Sequence, residues 1–507
     1  MKATRWSQQW PGIALWGAGA ACLAVQVLLP GFIGIANNGD FGKVYGWLCL
    51  APRAAETNFI HFQPDYLWSA RNYWNSPYHS SESTLAWLAT RFARATHEAA
   101  AFDIRWLGAV HAALCLAAFG VLLAGLRGRG WRVQAASAAL PLLVFTDVCY
   151  TAYLNSFFMD AAALCGLLLM AAAAVWMTAS TPSVEQPSRL GCPLGRPHSW
   201  GHTSLHATDL VGAMRLCVFT LAALLFVTSK AQHALWMGLP AALLIAQGVQ
   251  GGTGLLACRR VRALAWSAAG LVLLAGAGML ASTDGSYRGQ AMFNVLFFRL
   301  GPAGADLEAL GVKPEELRYR GMHAYLPGVP AADRAWTEEF GRRTGFARLL
   351  GWYARHPGST LGFLAETLKE GAPEMRPVYL GNFRAQDGRA PGARTQRFAV
   401  WSNFRGALLR RWPWHMVAWY VVFLAGCLVS GSPLRWVAMG IAALGAGEFA
   451  AAALADSLDA GRHLFLFHAA TDLTVCFAAA WLAQKTIRHT PSAGLRLDHP
   501  AAGDQAD

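Results

Sequence analysis

The chain has 507 residues, of which 55% are hydrophobic and only 14% are charged, and its formal net charge is +13. A soluble protein typically carries about 25% charged residues, so the composition excludes an ordinary soluble fold and predicts an integral membrane protein. The excess positive charge fits membrane topology and anionic lipid or phosphate partners better than nucleic acid. The ten cysteines form no C-x-x-C pair, so the sequence supports neither a metal site nor a redox site.

Ten apolar blocks recur along the chain, and those shorter than about 17 residues are expected to extend into the flanking semi-polar sequence to cross a hydrocarbon core. Backbone polar groups cannot stay unpaired in lipid, so each block predicts a helix. The fold class is therefore an all-α polytopic membrane protein with about ten transmembrane helices. The first block runs on into Asn37, which favours a retained helix over a cleaved signal peptide. The blocks lie near 12–35, 104–126, 133–145, 161–177, 216–228, 234–246, 263–281, 416–429, 437–455 and 473–483.

Positive charge predicts the orientation. Arginines cluster in the connections 127–132 and 259–262, and lysine and arginine also flank both ends of the chain. These segments fall on one side when ten helices are counted, so that side and both termini are predicted to be cytoplasmic. The predicted parts are a membrane region 1–281 with about seven spans and a first outer loop 36–103, a large mixed or helical extracytoplasmic loop domain 282–412, three spans in 413–485 and a cytoplasmic tail 486–507. Within the first outer loop, 84–99 is apolar on one side, which is typical of a helix lying in the membrane interface.

The first outer loop opens with a turn sequence directly after the first apolar block. Two asparagines and a glycine precede Asp40, and these residue types dominate tight turns, so the carboxylate is predicted at the membrane boundary. A carboxylate there can accept a proton from a hydroxyl that attacks an activated sugar carbon. The same residues also suit an Asx turn that only ends a helix. Asn38 and Lys43 lie in the same loop and complete this first set of candidates.

The connection between the third and fourth blocks contains carboxylates, tyrosines and an asparagine, and it has no basic residue. It is longer than a helix hairpin of about 2–8 residues requires. Ionisable groups at membrane depth usually have a function, although capping or interhelical hydrogen bonding explains any single member equally well. The candidates in this connection are Asp147, Tyr150, Asn155 and Asp160.

Two later outer connections carry isolated cations. Lys230 is a compact cation that suits a phosphate, and Gln232 and His233 follow it closely, although lysines also snorkel to the membrane interface. Arg462 can grip a phosphate in fork geometry and His463 can orient or titrate beside it, unless Arg462 pairs with a nearby aspartate. Four polar sets on one face suggest a site for an anionic lipid headgroup with a base close by. A transporter would place its charges within the spans instead.

Four short motifs in chain order resemble the WsfD-like bacterial hexose transferases, which belong to the GT-C superfamily of integral membrane glycosyltransferases. The motifs are Asn-Asn-Gly-Asp-Phe from residue 37, Tyr-x-x-Tyr-x-Asn-Ser-Phe from 150, Ser-Lys-x-Gln-His from 229 and Arg-His-Leu-Phe-x-Phe from 462. The resemblance implies a polyprenyl-phosphate sugar donor, no metal or other cofactor, and a general base in the first outer loop. That base would be Asp40. The chain lacks a second acidic residue beside Asp40, which keeps Asp147 and Asp160 open as the base.

The resemblance also implies roles for the other candidates. Lys230, Arg462 and His463 would contact the donor phosphate. The pocket would be formed by Asn38, Lys43, Asp147, Tyr150, Asn155, Asp160, Gln232 and His233. The implied reaction moves a hexose, with inversion, to a cell-envelope glycan or a lipid-linked acceptor on the outer face of a bacterial cytoplasmic membrane. A non-catalytic carrier or flippase for lipid-linked sugars, and a surface-polysaccharide ligase or polymerase, remain alternatives.

Overall fold

The computed structural model describes residues 10–53, 60–72, 78–96, 100–179, 207–249, 259–455 and 458–489. The helices before the large outer loop are α1 (Trp10–Leu23), α2 (Gly42–Tyr45), α3 (Ser81–Thr96), α4 (Arg105–Gly125), α5 (Trp131–Phe145), α6 (Val148–Leu154), α7 (Met159–Met177), α8 (Ala207–Val227), α9 (Ala231–Ala234), α10 (Gly238–Val249) and α11 (Arg259–Ser282). The later helices are α12 (Gly285–Phe293), α13 (Arg334–Thr344), α14 (Phe346–Arg355), α15 (Pro357–Glu366), α16 (Val400–Arg411), α17 (His415–Val429), α18 (Arg435–Ala455), α19 (Ala460–His463) and α20 (Phe465–His489). Short 3₁₀ or π-helical turns occupy Ala24–Leu28, Gly46–Leu48, Asn294–Leu300, Pro314–Tyr319, Pro330–Ala332, Thr367–Gly371 and Ala385–Asp387.

Seven helical segments of the described chain are long and apolar enough to cross a membrane. They are α1 with its extension to Leu28, α4, α7, the segment of α8 from Leu210, α11, α18, and α19 with α20 to Thr486. Two bent pairs, α5 with α6 (66°) and α16 with α17 (106°), raise the number to nine if each pair is one span. The remaining predicted block, 234–246, falls mainly on α10, which has 12 residues. The all-α polytopic membrane fold is confirmed.

Helix α7 lies at the centre of the bundle, where 83% of its most apolar window is buried, and it packs between α4 and α8. Its sequence is rich in alanine and contains one glycine, Gly166, so neighbouring helices approach closely. At Gly166 an added Cβ would lie 2.8 Å from the backbone nitrogen of Phe226 in α8. The small residues of α7 therefore set the positions of the helices that end around its N-terminus.

The first outer loop contains a small antiparallel sheet that the sequence analysis does not predict. Its strands are β1 (Leu50–Pro52), β2 (Asp65–Trp68) and β3 (Ala101–Asp103), paired in that order, with Leu50 opposite Trp68 and Asp65 opposite Asp103. Each strand has only three or four residues, too few for alternation to show in the sequence. The helix expected at 84–99 is present as α3, and it exposes Trp87, Leu88 and Phe92.

The large outer loop is helical and irregular, with no strand between 282 and 412. The part from α12 to α15 has a hydrophobic core of its own that includes Phe293, Phe297 and Phe340. Asp284 and Asp333 cap α12 and α13 by accepting hydrogen bonds from backbone N–H groups of the first turn. The later segment, 371–399, returns to the first outer loop, where the carbonyl of Gly381 accepts from the N–H of Ala36 at 2.9 Å.

Candidate functional site

A cluster of charged side chains lies at the outer ends of the helices, and Arg462 is at its centre. The Arg462 guanidinium lies 2.9 Å from an oxygen of Asp40, 2.7 Å from Asp459 and 3.6 Å from Asp160. It also lies over the ring of Phe158, with its carbon 5.1 Å from the ring centroid. Segments from the first loop, α7 and α19 therefore converge on one guanidinium. We call Asp40, Lys43, Asp160, Lys230, Asp459 and Arg462 the charged cluster.

The turn that carries Asp40 forms as the sequence predicts. The Asn37 side-chain oxygen accepts hydrogen bonds from the backbone N–H groups of Gly39 (2.8 Å) and Phe41 (3.1 Å), and Gly39 has a φ of +103°. Only glycine adopts that backbone conformation at little cost. Phe41 is buried edge-to-face against Phe158, which fixes the turn on the bundle. The turn is thus an Asx turn, and it also directs Asp40 into the charged cluster.

Asp40 is held as a carboxylate by the cations around it. Lys43, one helical turn later, donates to Asp40 at 2.6 Å, and the two side chains are only 14% and 16% exposed. Burial opposes ionisation, but the charges of Lys43, Arg462 and Lys230 outweigh it and hold the pKa of Asp40 well below its usual range. Burial likewise opposes the charge of Lys43, and Asp40 outweighs it, so the pKa of Lys43 is raised. In this arrangement Asp40 is charged at neutral pH but is a weak proton acceptor.

Asp160 and Lys230 form the more loosely paired side of the charged cluster. Asp160 lies in the first turn of α7, and the Lys230 ammonium, between α8 and α9, is 3.9 Å from its carboxylate. Both side chains are almost fully buried, with exposures of 6% and 4%. The start of α7 is held by Glu82 of α3, whose carboxylate accepts from the backbone N–H of Ala162 at 3.2 Å.

The other cluster candidates support the cations rather than face an open site. His463 lies beside Arg462, with its Nε2 2.9 Å from a guanidinium nitrogen. His233 pairs with the Ser229 hydroxyl at 2.8 Å, and its ring stacks on Phe226. Gln232 donates to Glu448 of α18. Asn38 donates to the second carboxylate partner of Arg462, Asp459, at 3.1 Å.

Three candidates of the connection between α5 and α7 lie away from the charged cluster. One Asp147 oxygen accepts from the N–H of Cys149 and the other from those of Trp401 (2.8 Å) and Ser402 (3.0 Å), so Asp147 caps both α6 and α16. The Asn155 amide donates to the carbonyls of Val27 and Ile33. These contacts join helices, and of the four polar candidates in the connection only Asp160 reaches the charged cluster.

Tyr150 belongs to a second buried network. Its hydroxyl donates to Asp472 at 2.6 Å, and the Trp401 indole donates to the same oxygen at 2.6 Å. The other Asp472 oxygen forms an ion pair with Arg405 of α16. Both charged side chains are almost fully buried, so the pair fixes the end of the outer loop against α20. Arg405 and Asp472 are 67 positions apart with no local pattern between them, so their pairing cannot be predicted from the sequence.

Three further residues near the charged cluster are not among the site candidates predicted from the sequence. Tyr287 of α12 places its ring 4.3 Å from the Lys43 ammonium, and burial raises its pKa to about 12. Tyr379, which is 41% exposed, lies beside Asp459 and Asn38, and burial raises its pKa above the usual range. Both phenols therefore stay protonated and can donate hydrogen bonds. Glu448 is an acid within an apolar block, a signal by which the sequence identifies functional residues in membranes.

An open groove with a volume of about 450 Å³ adjoins the turn that carries Lys230. It lies between α3, α8 and α11, and its apolar lining includes Leu85, Leu221, Leu224, Leu225 and Met279. The Ser80 hydroxyl at its rim donates to the carbonyl of Ser229 at 2.7 Å, one residue before Lys230. A second, apolar cavity of about 100 Å³ lies deeper in the bundle and reaches Arg129 and Gln484 at the opposite end, so it does not line the charged cluster.

The charged cluster is not arranged as a metal site. Within the described ranges, no group of three or more His, Cys, Asp or Glu side chains is placed to hold a metal ion. The three carboxylates of the cluster point at Arg462 and the two lysines instead.

Comparison with known proteins gives one match. A family model described as the YfdI N-terminal transmembrane domain matches residues 9–496. The match spans all of the helices described above, and its description as a transmembrane domain agrees with the fold. No curated protein and no solved structure matches the chain.

Proposed function

We propose that this chain, which belongs to the family of the YfdI N-terminal transmembrane domain, is a membrane glycosyltransferase that takes a hexose from a polyprenyl-phosphate donor. The acceptor is a cell-envelope glycan or a lipid-linked sugar on the outer face of a bacterial cytoplasmic membrane, with both termini on the inner side. The single observation that carries the proposal is the charged cluster, in which cations suited to phosphate surround a carboxylate beside an open groove with an apolar lining. The resemblance to the GT-C superfamily supports the same reading.

The donor phosphate is assigned to Lys230. Arg462 already contacts Asp40, Asp459 and Asp160, and Lys43 is held at 2.6 Å by Asp40. The ion pair of Lys230, at 3.9 Å, is longer than a charge-assisted hydrogen bond of about 2.8 Å, so a phosphate oxygen can replace it at the least cost. The nearby groove then receives the polyprenyl chain, whose contacts are apolar.

Asp40 is the proposed general base. It accepts the proton of the acceptor hydroxyl while that oxygen forms a bond to the anomeric carbon, and the bond from this carbon to the phosphate oxygen breaks. The electron pair leaves with the lipid phosphate, whose added negative charge is stabilised by Lys230 and Arg462. One displacement of this kind inverts the configuration of the sugar.

Donor binding also makes Asp40 a better base. A phosphate charge about 5 Å from Asp40 raises the energy of its carboxylate by about 3 kcal/mol at an effective dielectric constant of about 20, which is about two pKa units. The phosphate further competes for Lys230 and Arg462, two of the three cations that depress the pKa of Asp40. The base therefore gains strength only when the donor is in place.

The acceptor is expected to approach from the side of the large outer loop. There Tyr379 is exposed beside Asn38 and Asp459, and its hydroxyl stays protonated, so the three residues offer one donor, one amide and one carboxylate to sugar hydroxyls. Tyr287 bounds the other side through its contact with Lys43.

The test is hexose transfer by the purified protein in detergent, with a labelled polyprenyl-phosphate hexose and cell-envelope acceptor. Wild type, Asp40→Asn and a matched exposed control, Asp306→Asn, are compared at equal thermal stability. We expect transfer by wild type and control and a loss of at least about 100-fold in Asp40→Asn. Equal transfer by all three would move the base to Asp160, and an absence of transfer with every sugar would reject the enzyme in favour of a carrier.

A further inference from the structure

Glu448 is a fully buried acid inside the membrane-spanning helix α18. An acid at membrane depth is costly, so it needs strong partners and usually has a function. One Glu448 oxygen accepts from the indole N–H of Trp236 at 2.7 Å, and the other accepts from the Gln232 amide. Both partners lie within five residues of each other, in the segment that follows Lys230.

The residue before Glu448 provides space for the same indole. A Cβ added to Gly447 would overlap the six-membered ring of Trp236. Two helical turns earlier, a Cβ on Gly440 would lie 2.7 Å from a methyl carbon of Leu239. One face of α18 thus provides a recess for Trp236 and Leu239 together with an acceptor for the indole N–H. Shape and hydrogen bonding independently indicate that the segment from Lys230 to Leu239 is seated on this helix.

The seated segment determines where the Lys230 side chain points. Lys230 has an extended backbone (φ −154°, ψ 149°), and its carbonyl accepts from the N–H of His233 at 2.9 Å, so it is the last residue before the short helix α9. Its ammonium group has a long ion pair with Asp160. That contact is too loose to fix a flexible lysine by itself, whereas a rigid turn behind it limits the directions that the side chain can take.

We propose that Glu448 and Gly447 are positioning residues that fix the Lys230 turn and thereby set the affinity for the phosphate of the lipid donor. The effect on phosphate affinity rests on the proposed function, whereas the packing of the segment from Lys230 to Leu239 against α18 does not. Glu448 acts through Gln232 and Trp236 and takes no part in the chemical step. Its hydrogen-bond acceptor oxygens matter, and its charge does not.

The test compares Glu448→Leu, which removes both acceptor oxygens, with Glu448→Gln. The glutamine keeps an acceptor oxygen for Trp236, and its NH2 group can donate to the Gln232 side-chain oxygen once the Gln232 amide has flipped. Trp419→Phe is the matched control, because it removes another indole hydrogen bond inside the bundle, to Thr474 at 2.8 Å. Binding of farnesyl phosphate in detergent and hydrogen exchange of residues 229–237 are measured for each variant.

We expect Glu448→Leu to weaken farnesyl phosphate binding by about tenfold and to speed exchange in 229–237. Glu448→Gln and the control should stay near wild type in both measurements. Gly447→Leu should behave like Glu448→Leu, because it fills the recess of the indole.

Three outcomes would overturn the inference. They are an unchanged affinity in Glu448→Leu, an equal loss in Glu448→Gln, which would assign a role to the charge, and unchanged exchange in 229–237. If wild type binds no farnesyl phosphate, the proposed function fails on its own, and the exchange data still decide whether α18 seats the turn.

Discussion

Removal of the Lys43 charge should raise the pKa of Asp40. The ammonium group is 2.6 Å from the carboxylate, the two side chains are mostly buried, and Lys43 is the largest of the influences that lower this pKa. An opposite charge at such a distance lowers the pKa of an aspartate by about 1–3 units, and a contact this short lies at the upper end. We therefore expect a rise of about two to three units in Lys43→Gln, which corresponds to about 3–4 kcal/mol of lost interaction.

The sign of the pH dependence follows from the depressed pKa. In wild type, the Asp40 carboxylate stabilises the folded state fully at pH values above the pKa of aspartate in the unfolded chain, which is about 3.9. This stabilisation is lost as the pH falls from that value towards the lower pKa of Asp40 in the folded protein. In Lys43→Gln the stabilisation at neutral pH is smaller. The acid limb of kcat/KM reports the base in the free enzyme, so it should lie below about pH 4 in wild type and move up by about two to three units in the variant.

The assay is sugar transfer from about pH 2, or the lowest pH at which each protein stays folded, up to about pH 8, together with thermal unfolding in the same detergent. Lys313→Gln is the matched control, because Lys313 forms a 4.0 Å ion pair with Glu339 at an exposed site outside the charged cluster. An acid limb at the same pH in wild type and Lys43→Gln would refute the reasoning that Asp40 is both the base and the partner of Lys43. A similar shift in the control would assign the effect to net charge.

Three further predictions follow from the same contacts. Lys230→Gln should raise the KM for the lipid donor by about 10- to 100-fold with a smaller change in kcat, measured from initial rates at varied donor, and an unchanged KM would contradict the phosphate assignment. Asp147→Ala should lower the free energy of unfolding by about 1–3 kcal/mol through loss of two helix caps and leave kcat unchanged, so a loss of turnover in the folded variant would restore Asp147 as a candidate base. Asp472→Asn should lower the free energy of unfolding by about 3–5 kcal/mol, because it leaves Arg405 buried without its partner. A second change, Arg405→Met, should recover much of that stability, and no recovery in the thermal unfolding of the double variant would contradict the prediction.

The membrane helices are predictable because their signal is local. Each block of apolar residues must be helical in lipid, so length and composition suffice, and the bend after α5 falls near Pro141 and the Asp147 cap. Helix α10 has only 12 residues, which is short for a span. The small sheet in the first outer loop has no such signal, because its pairing depends on contacts between distant short strands.

The candidate site is predicted in part. Asp40, Asp160, Lys230 and Arg462 lie on four separate connections, and the structure brings all four together. The sequence cannot separate Asp160 from Asp147, because both are acids at the same membrane boundary. Their partners distinguish them. Asp147 accepts hydrogen bonds from backbone N–H groups of α6 and α16, whereas Asp160 lies beside the cations Lys230 and Arg462. Partners of this kind depend on tertiary packing and leave no local pattern.

Asp459 and Glu448 illustrate two different reasons for a missed residue. Asp459 lies in a run with several aspartates, and the sequence analysis anticipates only that Arg462 pairs with one of them. Glu448 carries a clear signal, an acid inside an apolar block, but its role depends on Trp236 and Gln232, which are more than 200 positions away. The role of Glu448 can be inferred only from the packing of α18 against the turn that carries Lys230.

The most direct test of the account is to follow both products of a donor that carries one label on the hexose and another on the lipid phosphate. Protein reconstituted in vesicles is incubated with this donor and an acceptor glycan. The account predicts that free lipid phosphate and hexose bound to the acceptor appear in equal amounts, with the anomeric configuration inverted. Donor that crosses the membrane with both labels still joined would identify a carrier and contradict the account, and a product with retained configuration would contradict the single displacement at Asp40.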